Sequence, residues 1–450
     1  MRKFIILITA ALVSANTFAQ DALTLDQVRD MALQHNHKAK DAALTIQIAE
    51  QAVKQYRANF FPSIDLNGIA AYGTSKSTLF AFPLSQYSGL ASLLIGEKVQ
   101  LPDIDLTLKL GWVVHGGVQL TQPIFMGGKI IAANKIAKRS LAMAKQNQRL
   151  TDTEIIEKAD EAFFNVVRAT ELLTVANKYH ELLAELERNV KSAVDIGMKL
   201  PADLLRVQVK KNEVELNRRR AENGLRLANM NLNYVIGSPL TTPTAINYTA
   251  FTNADTALTS ANPDALAAGE RPEAVIMREK AEIARQQVNV VRADALPSVA
   301  LMATYGYTRG LKLNDNNLFD GGSFLGGVTV KIPVFHFGER LAKIRAAKLR
   351  LQQAENERDN VNEQLQLALA KAQNGYDEAK LEIELSELSV RQAQQSLDMT
   401  RHQYDNGMAT LSDLLDAQAL WQKSQQTRID ALCNLQTATT ALSKALGTLR

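Results

Sequence analysis

The chain has 450 residues, with 51 Lys or Arg against 47 Asp or Glu, and a net charge of +4. This near balance excludes a protein that binds nucleic acid through a strong basic excess. The single cysteine, Cys433, excludes an intrachain disulfide and a cysteine-based metal cluster. Only 6% of the residues are aromatic while 46% are apolar, many of them Ala and Leu, so the composition favours a mostly helical protein.

Residues 1–19 have the pattern of a secretory signal peptide. Arg2 and Lys3 precede an apolar run at residues 4–13, and Ala19 ends a stretch with small residues at the cleavage positions. A run of about ten residues is too short for a membrane-spanning helix, which takes about 20. Because no other uncharged apolar stretch is long enough, we expect any membrane-spanning part to consist of β-strands.

The rest of the sequence contains an internal duplication. Residues 210 positions apart match over more than a hundred residues without a gap, while further upstream the offset is 235. We therefore expect a first repeat at 20–237, a connector at 238–262 and a second repeat at 263–450. The matched pairs at the offset of 210 include Gly116 and Gly326, Pro123 and Pro333, Phe125 and Phe335, Gly197 and Gly407, Asp203 and Asp413, and Gln208 and Gln418.

Each repeat reads as a helix, two strands, a very long helix, a tight turn and a last helix. Pro and Gly separate these elements, and no proline falls inside either long helix. Each long helix would be roughly 100 Å long at about 1.5 Å per residue. After an initial helix, the expected bounds are strands at about 62–75 and 106–122 and helices at 127–195 and 201–236 in the first repeat, and strands at about 297–309 and 322–333 and helices at 338–405 and 411–446 in the second.

The predicted strands alternate apolar and polar residues. Val328, Val330 and Ile332, for example, alternate with Thr329 and Lys331. One such segment is more often a half-buried strand of a soluble sheet. Four of them behind a signal peptide favour transmembrane strands. Because a barrel needs about eight strands, we expect several chains to share one, with the number of chains left open between two, three and four.

Three segments resemble the TolC-type outer-membrane efflux family. They are GGVQLTQPIFMGGK at 116–129, GGVTVKIPVFHFGER at 326–340 and YDNGMATLSDLLDAQ at 404–418. The resemblance extends over essentially the whole mature chain. It implies an α+β membrane protein, in which a homotrimer shares a 12-stranded transmembrane β-barrel, four strands per chain, continuous with a long α-helical periplasmic barrel. It also implies a position in the outer membrane of a Gram-negative cell, in contact with lipid and extending into the periplasm.

Two Gly-containing turns interrupt the long helices. Gly just past a helix end supplies the left-handed residue that closes it, and this structural role is sufficient to explain both turns. In the family, such tips form the periplasmic mouth and contact an adaptor protein. The resemblance therefore assigns adaptor docking to Gly197, Met198, Gly407 and Met408.

Asp413 and Asp416 lie three residues apart, on one face of a helix that begins near Leu411. A carboxylate favours a helix N-terminus, and Thr410 with Asp413 resembles a capping pair. From the residues alone, a capping role and a role in a gate are about equally favoured for Asp413. For Asp416 the role in a gate is favoured.

The resemblance assigns a constriction to these carboxylates. In the family this pattern, with an upstream Tyr at the place of Tyr404, narrows the channel, and rings of carboxylates select cations. Asp203 holds the matching place in the first repeat, with a weaker role. One departure leaves the latch of the gate open: Ala409 stands where better-known members carry Arg.

The leading hypothesis is a passive outer-membrane exit channel of a tripartite efflux or type I secretion system. It would dock on an inner-membrane pump, of the RND, ABC or a similar type, through a periplasmic adaptor (membrane fusion) protein. We expect no enzymatic activity, no catalytic residues, no cofactor and no metal. The alternative is a soluble periplasmic adaptor or scaffold built from helical hairpins. The apolar segment 78–104 would be the outward loop of the first strand pair, either packed over the barrel mouth or resting on the outer leaflet.

Overall fold

The computed structural model describes residues 22–74, 76–96, 98, 100–249, 270–313 and 316–449. The predicted signal peptide and the part of the connector at 250–262 lie outside the described residues. The helices within these ranges are α1 (Leu25–His35), α2 (His37–Ala58), α3 (Ser88–Ile95), α4 (Lys129–Asp195), α5 (Pro201–Ile236), α6 (Pro272–Ala293), α7 (Glu339–Asp405) and α8 (Leu411–Ala445). The strands are β1 (Ser63–Tyr72), β2 (Lys76–Phe82), β3 (Ile104–Phe125), β4 (Ser298–Leu313) and β5 (Asn316–Lys331).

The chain divides into two compact units. The helical unit comprises Met1–Gln47, Met143–Arg278 and Glu357–Arg450, and the sheet unit comprises Ile48–Ala142 and Glu279–Asn356.

The sheet unit contains one antiparallel sheet in the order β1-β3-β4-β5. Leu66 pairs with Val118 between β1 and β3, and Tyr305 pairs with Phe324 between β4 and β5. The central pair, β3 and β4, brings the two repeats side by side, with Gln119 opposite Thr304. As a result, β1 of the first repeat lies at one end of this strand order, and β5 of the second repeat lies at the other end.

The sequence did not predict strand β2, because the segment 78–104 was expected to be a loop. It pairs with the first part of β3, with Lys76 opposite Lys109 and Phe82 opposite Ile104. The physical reason is the length of β3, which continues past the last residue paired with β1, Trp112 opposite Tyr72. Its further backbone groups need partners, and β2 supplies them. The same segment also forms the short helix α3.

The strands expose large apolar side chains. All ten residues of β1 are exposed, and Leu66 is 82% exposed. On β5, Phe324 is 71% and Val328 is 61% exposed. Contiguous apolar surface of this kind is typical of a face that contacts lipid or another protein.

The helical unit has a conventional core where α1, α4, α5 and α8 meet. Val28, Phe163, Val167 and Leu232 are among its members, each at most 2% exposed. A buried polar cluster lies beside it: the Arg29 guanidinium donates to both Asp160 oxygens at 2.7 and 2.6 Å, and the Thr440 hydroxyl donates to Asp160 Oδ2 at 2.7 Å. These bonds tie the N-terminal helix to α4 and α8.

None of the described helices contains an apolar stretch long enough to cross a membrane.

Candidate functional site

The turn between α4 and α5 is built around Gly197, whose φ is +77°. Its N–H donates to the Val194 carbonyl at 2.9 Å, and the Met198 N–H donates to the Ala193 carbonyl at 2.8 Å. These paired bonds close the end of α4 around a left-handed residue. Pro201 then occupies the first turn of α5, where a missing N–H costs nothing.

The turn between α7 and α8 repeats this geometry. Gly407 has a φ of +75°, its N–H donates to the Tyr404 carbonyl at 3.0 Å, and the Met408 N–H donates to the Gln403 carbonyl at 2.8 Å. Met198 and Met408 are 75% and 74% exposed. The structure therefore places all four residues of the predicted docking tips at two equivalent, solvent-exposed turns.

The two hairpins share one apolar cluster near these turns, the tip cluster. Tyr179 and Leu183 in it are fully buried, and Tyr404 is 9% exposed. Its other buried members are Leu186, Val190, Val207, Val214, Ala393, Leu397, Leu411, Leu414, Ala417 and Trp421. Because both hairpins contribute to one cluster, the packing holds their turns together.

Asp413 forms the capping pair that the sequence suggested. The Thr410 N–H and hydroxyl donate to Asp413 Oδ2 at 2.8 and 2.7 Å, and the Asp413 N–H donates to the Thr410 hydroxyl at 3.2 Å. These hydrogen bonds, first that of the hydroxyl and then that of the backbone N–H, lower the pKa of Asp413. The carboxylate is exposed, so it is both a helix cap and a charge open to solvent.

The other predicted gate residues lie in two places. Asp416 is exposed, one turn further along α8. Tyr404 is packed in the tip cluster, where burial and then the negative charge of Asp203 raise its pKa. Asp203 is half-buried in the first turn of α5. The structure thus brings Tyr404 near Asp203. Asp413 instead accepts hydrogen bonds from Thr410, the N-cap residue of its own helix.

Lys199 is a residue that the sequence reading missed. Its Nζ lies 4.4 Å from the centroid of the Tyr404 ring, a cation–π distance. The signal was present in the duplication, because Lys199 follows Gly197 by two residues and the offset of 210 places it opposite Ala409. The first turn therefore carries a cation, Lys199, at the position where the second turn has Ala409.

The chemistry available at the turns is that of charge and packing. Asp203, Asp413 and Asp416 supply negative charge, and Lys199 supplies a positive charge held on an aromatic ring. Among the described residues, no group of three or more His, Cys, Asp or Glu side chains is arranged to hold a metal ion.

The sequence matches the family model described as Outer membrane efflux protein over residues 28–238 and 266–448. It is 23% identical to the outer membrane efflux protein BepC of Brucella suis over 74% of this chain and 71% of that protein. It is 19% identical to the outer membrane protein TolC of Vibrio cholerae over 100% of this chain and 96% of that one.

The fold matches that of the outer membrane protein VceC from Vibrio cholerae with a TM-score of 0.75. The two are 19% identical, and the match covers 94% of this chain and 96% of that one. This likeness confirms the predicted fold class of long helices combined with a small antiparallel sheet.

The family model covers most of both repeats, and its match confirms the resemblance to the TolC type. It equally confirms the prediction of an outer-membrane protein that is not an enzyme. The chain belongs to the outer membrane efflux protein family.

Proposed function

We propose that the chain is the outer-membrane exit channel of a tripartite efflux or type I secretion system, a passive duct with a carboxylate-lined gate at the periplasmic end. The observation that carries the proposal is the sheet of the sheet unit, whose strands expose alternating apolar side chains and whose edge strands β1 and β5 each have one unpaired side. A soluble adaptor or scaffold, the alternative, has no use for such a surface.

The edges of the sheet determine how it is completed. Unpaired N–H and C=O groups are not tolerated in lipid, so β1 of one copy has to pair with β5 of the next. Four principal strands per chain make twelve in a homotrimer, which is large enough to close a barrel. Two or four copies would also supply enough strands, and the resemblance to the TolC type favours three, so we propose three copies around a shared 12-stranded β-barrel.

The turns at the helix tips supply the gate. Asp413 and Asp416 are exposed carboxylates on one face of α8, and three copies would present them as two rings of negative charge. Tyr404 and Asp203 lie close by, and Lys199 joins the two turns through the Tyr404 ring. The Lys199–Tyr404 contact takes the place of the latch that Ala409 cannot make.

The same turns supply the docking surface. Ile196, Met198, Leu200 and Met408 are each more than two thirds exposed. Apolar side chains concentrated at an exposed tip are typical of a protein contact site. We propose that Gly197, Met198, Gly407 and Met408 contact the periplasmic adaptor, which links the channel to an inner-membrane pump. A Met198→Asp/Met408→Asp variant should conduct normally but lose adaptor in cross-linking, and retained cross-linking would contradict this assignment.

Single-channel conductance in a planar bilayer tests the channel and its gate. We expect a small, cation-preferring conductance, and a weaker cation preference in Asp416→Asn and in Asp413→Asn. Glu363→Gln is the matched control, since Glu363 is an exposed carboxyl about 60 Å back along α7. It should behave like the unaltered protein.

The outcomes distinguish a failure of the proposed channel from a failure of the proposed gate. If neither Asp substitution changes the conductance, the protein is a channel but its gate does not lie at these carboxylates of α8. Absence of conductance in a correctly assembled oligomer would favour the scaffold. Release of the protein by a carbonate wash without detergent would equally exclude the channel.

A further inference from the structure

Three lysines occupy neighbouring positions on three adjacent strands of the sheet unit. Lys76 on β2 pairs with Lys109 on β3, and Lys109 also pairs with Lys312 on β4. Residues that pair directly across strands share one face of a sheet, and neighbouring strands are about 4.8 Å apart. The register therefore places three positively charged residues in one row, the lysine row, on one face of the sheet.

The strands do not supply a neutralising charge beside the lysine row. Among the described positions that pair with the row or flank it by two residues, none is Asp or Glu, and they include Thr78, Thr107 and Asn317. Asp105 is four residues from Lys109 along β3, a distance of about 13 Å. Like charges directly opposite one another on adjacent strands are destabilising. An anion from outside the chain would remove this repulsion.

The lysine row shares a face of the sheet with His115 and Thr308. These two residues pair with each other, and His115 Nδ1 lies 2.8 Å from the Thr308 hydroxyl oxygen. Lys109 is six residues from His115 along β3, and Lys312 is four residues from Thr308 along β4. Both intervals are even, and residues an even number apart on a strand share a face. The register shift between the two pairs adds two residues to β3 relative to β4, so it keeps this alternation.

The opposite face of the sheet is apolar, and it contains Leu66 and Trp112, which are 82% and 65% exposed. If the proposed channel function holds, on which this step rests, that face contacts lipid and the face with the lysine row lines the lumen. The row lies in the part of β3 that continues past β1, at the end remote from α4. Three copies would present nine lysines around one opening, and a wall that carries one sign of charge concentrates counter-ions.

We propose that the lysine row binds a soluble polyvalent oxyanion of the polyphosphate class. Lysine binds phosphate as a point charge, and three lysine positions about 5 Å apart can each contact a different phosphate group of one chain. A polyvalent anion is favoured over a monovalent one because it neutralises the whole row. A soluble anion is favoured over a lipid phosphate because the row lies on the face opposite to the one that would contact lipid.

Isothermal titration calorimetry of the detergent-extracted protein tests the site, with tripolyphosphate as the probe. We expect saturable binding that weakens as salt is added. Lys109→Gln removes the central charge of the row and should weaken binding about tenfold, whereas Lys109→Arg keeps the charge and should retain it. Lys331→Gln is the matched control, because Lys331 is an exposed lysine at the other end of the same sheet, opposite Ser298, and it should bind like the unaltered protein.

Thermal stability gives a second readout that a misfolded variant would not imitate. Without tripolyphosphate, Lys109→Gln should have a higher thermal midpoint than the unaltered protein, because the substitution removes the repulsion within the row. With tripolyphosphate, the midpoint of the unaltered protein should rise and that of Lys109→Gln should rise much less.

Three results would overturn the proposal. They are undiminished tripolyphosphate binding in Lys109→Gln, an equal loss of binding in Lys331→Gln, and a preference for phosphatidic acid vesicles over tripolyphosphate, which would assign the row to lipid.

The lysine row is formed within one chain, so calorimetry does not require a conducting pore. Absence of binding in a protein that conducts would remove the site and leave the channel. Binding in a protein that does not conduct would keep the site and contradict the channel. In a conducting protein, tripolyphosphate should reduce the single-channel current from one side of the bilayer only, and Lys109→Gln should need about tenfold more of it.

Discussion

Asp413 combines two roles in one carboxylate. As a cap it accepts two hydrogen bonds from Thr410, and as an exposed charge it is a candidate member of the gate. Because the cap lowers the pKa of Asp413 below its ordinary value of 3.8, the folded state favours the charged form. A group of this kind contributes stability above its unfolded pKa, and that contribution is lost as the pH falls through the lower, folded pKa.

We predict that the stability difference between the unaltered protein and Asp413→Asn depends on pH in this direction. The difference in thermal midpoint should be present at about pH 6 and should shrink as the pH falls below 3.8 and through the lowered pKa of the folded carboxyl. Thr410→Ala should cost about 1 kcal/mol at neutral pH and should abolish most of the effect of Asp413→Asn. Additive effects of the two substitutions would show that the cap does not couple them.

Lys199 acts on the buried ring of Tyr404. A cation on an aromatic ring contributes about 0.5–1 kcal/mol when partly exposed, and here it connects the turn of one hairpin to the helix end of the other.

We predict that Lys199→Met raises the ratio of open to closed channels about two- to fivefold, because it removes this contact from the closed state. Single-channel recording measures the ratio. Tyr404→Phe keeps the ring and should have a smaller effect, whereas an equal effect would assign the latch to the Tyr404 hydroxyl. Lys423→Met, at an exposed position on α8, is the control for loss of charge.

At the level of the elements, glycine has opposite effects inside α7 and in the turn that follows it. Gly407 lies in the turn just past the end of α7 and has a φ of +75°, whereas Gly375 lies inside α7. A Cβ would meet no atom within 4 Å at either position. The difference between them is therefore purely one of backbone conformation.

We predict opposite signs for the same substitution. Gly407→Ala should destabilise the protein by about 1 kcal/mol because L-residues strain in the left-handed region. Gly375→Ala should stabilise it by about 0.5–1 kcal/mol because Ala loses less backbone entropy in a helix. Thermal denaturation of the purified protein measures both, and shifts of the same sign would contradict the assigned turn geometry.

At the level of the whole molecule, the sheet cannot be complete in one chain. Strands β1 and β5 lie at the ends of the order β1-β3-β4-β5, and residues such as Leu66 and Phe324 expose apolar side chains. The proposed pairing of β1 with β5 of a neighbouring copy would remove both open edges.

We predict that the detergent-extracted protein contains three copies per particle, measured by native mass spectrometry. Cysteines introduced at Asn67 on β1 and at Thr329 on β5 should form cross-links between copies, in a Cys433→Ser background. The same cysteine introduced at Lys423 on α8 instead of Asn67 should not cross-link to Thr329→Cys. A monomeric particle, or the absence of cross-links between the edges, would contradict the shared sheet.

The sequence by itself predicted the elements whose signals are local. Gly197 and Gly407 mark helix ends because glycine adopts positive φ without strain, and the alternation around Val328 indicates a strand because side chains alternate between the two faces of a sheet. The cap of Thr410 and Asp413 is equally local, since its two residues are three apart. The duplication and its motifs were sufficient to identify the family.

Only the tertiary structure decided the features that depend on long-range packing. Strand β2 exists because β3 continues past the end of β1, and Lys199 lies on Tyr404 because the two hairpins share the tip cluster. Each case joins residues that are distant in sequence or depends on which side chain a neighbouring helix presents. Periodicity along one element carries no information on these contacts, because it describes the face of a helix or strand and not what packs against it.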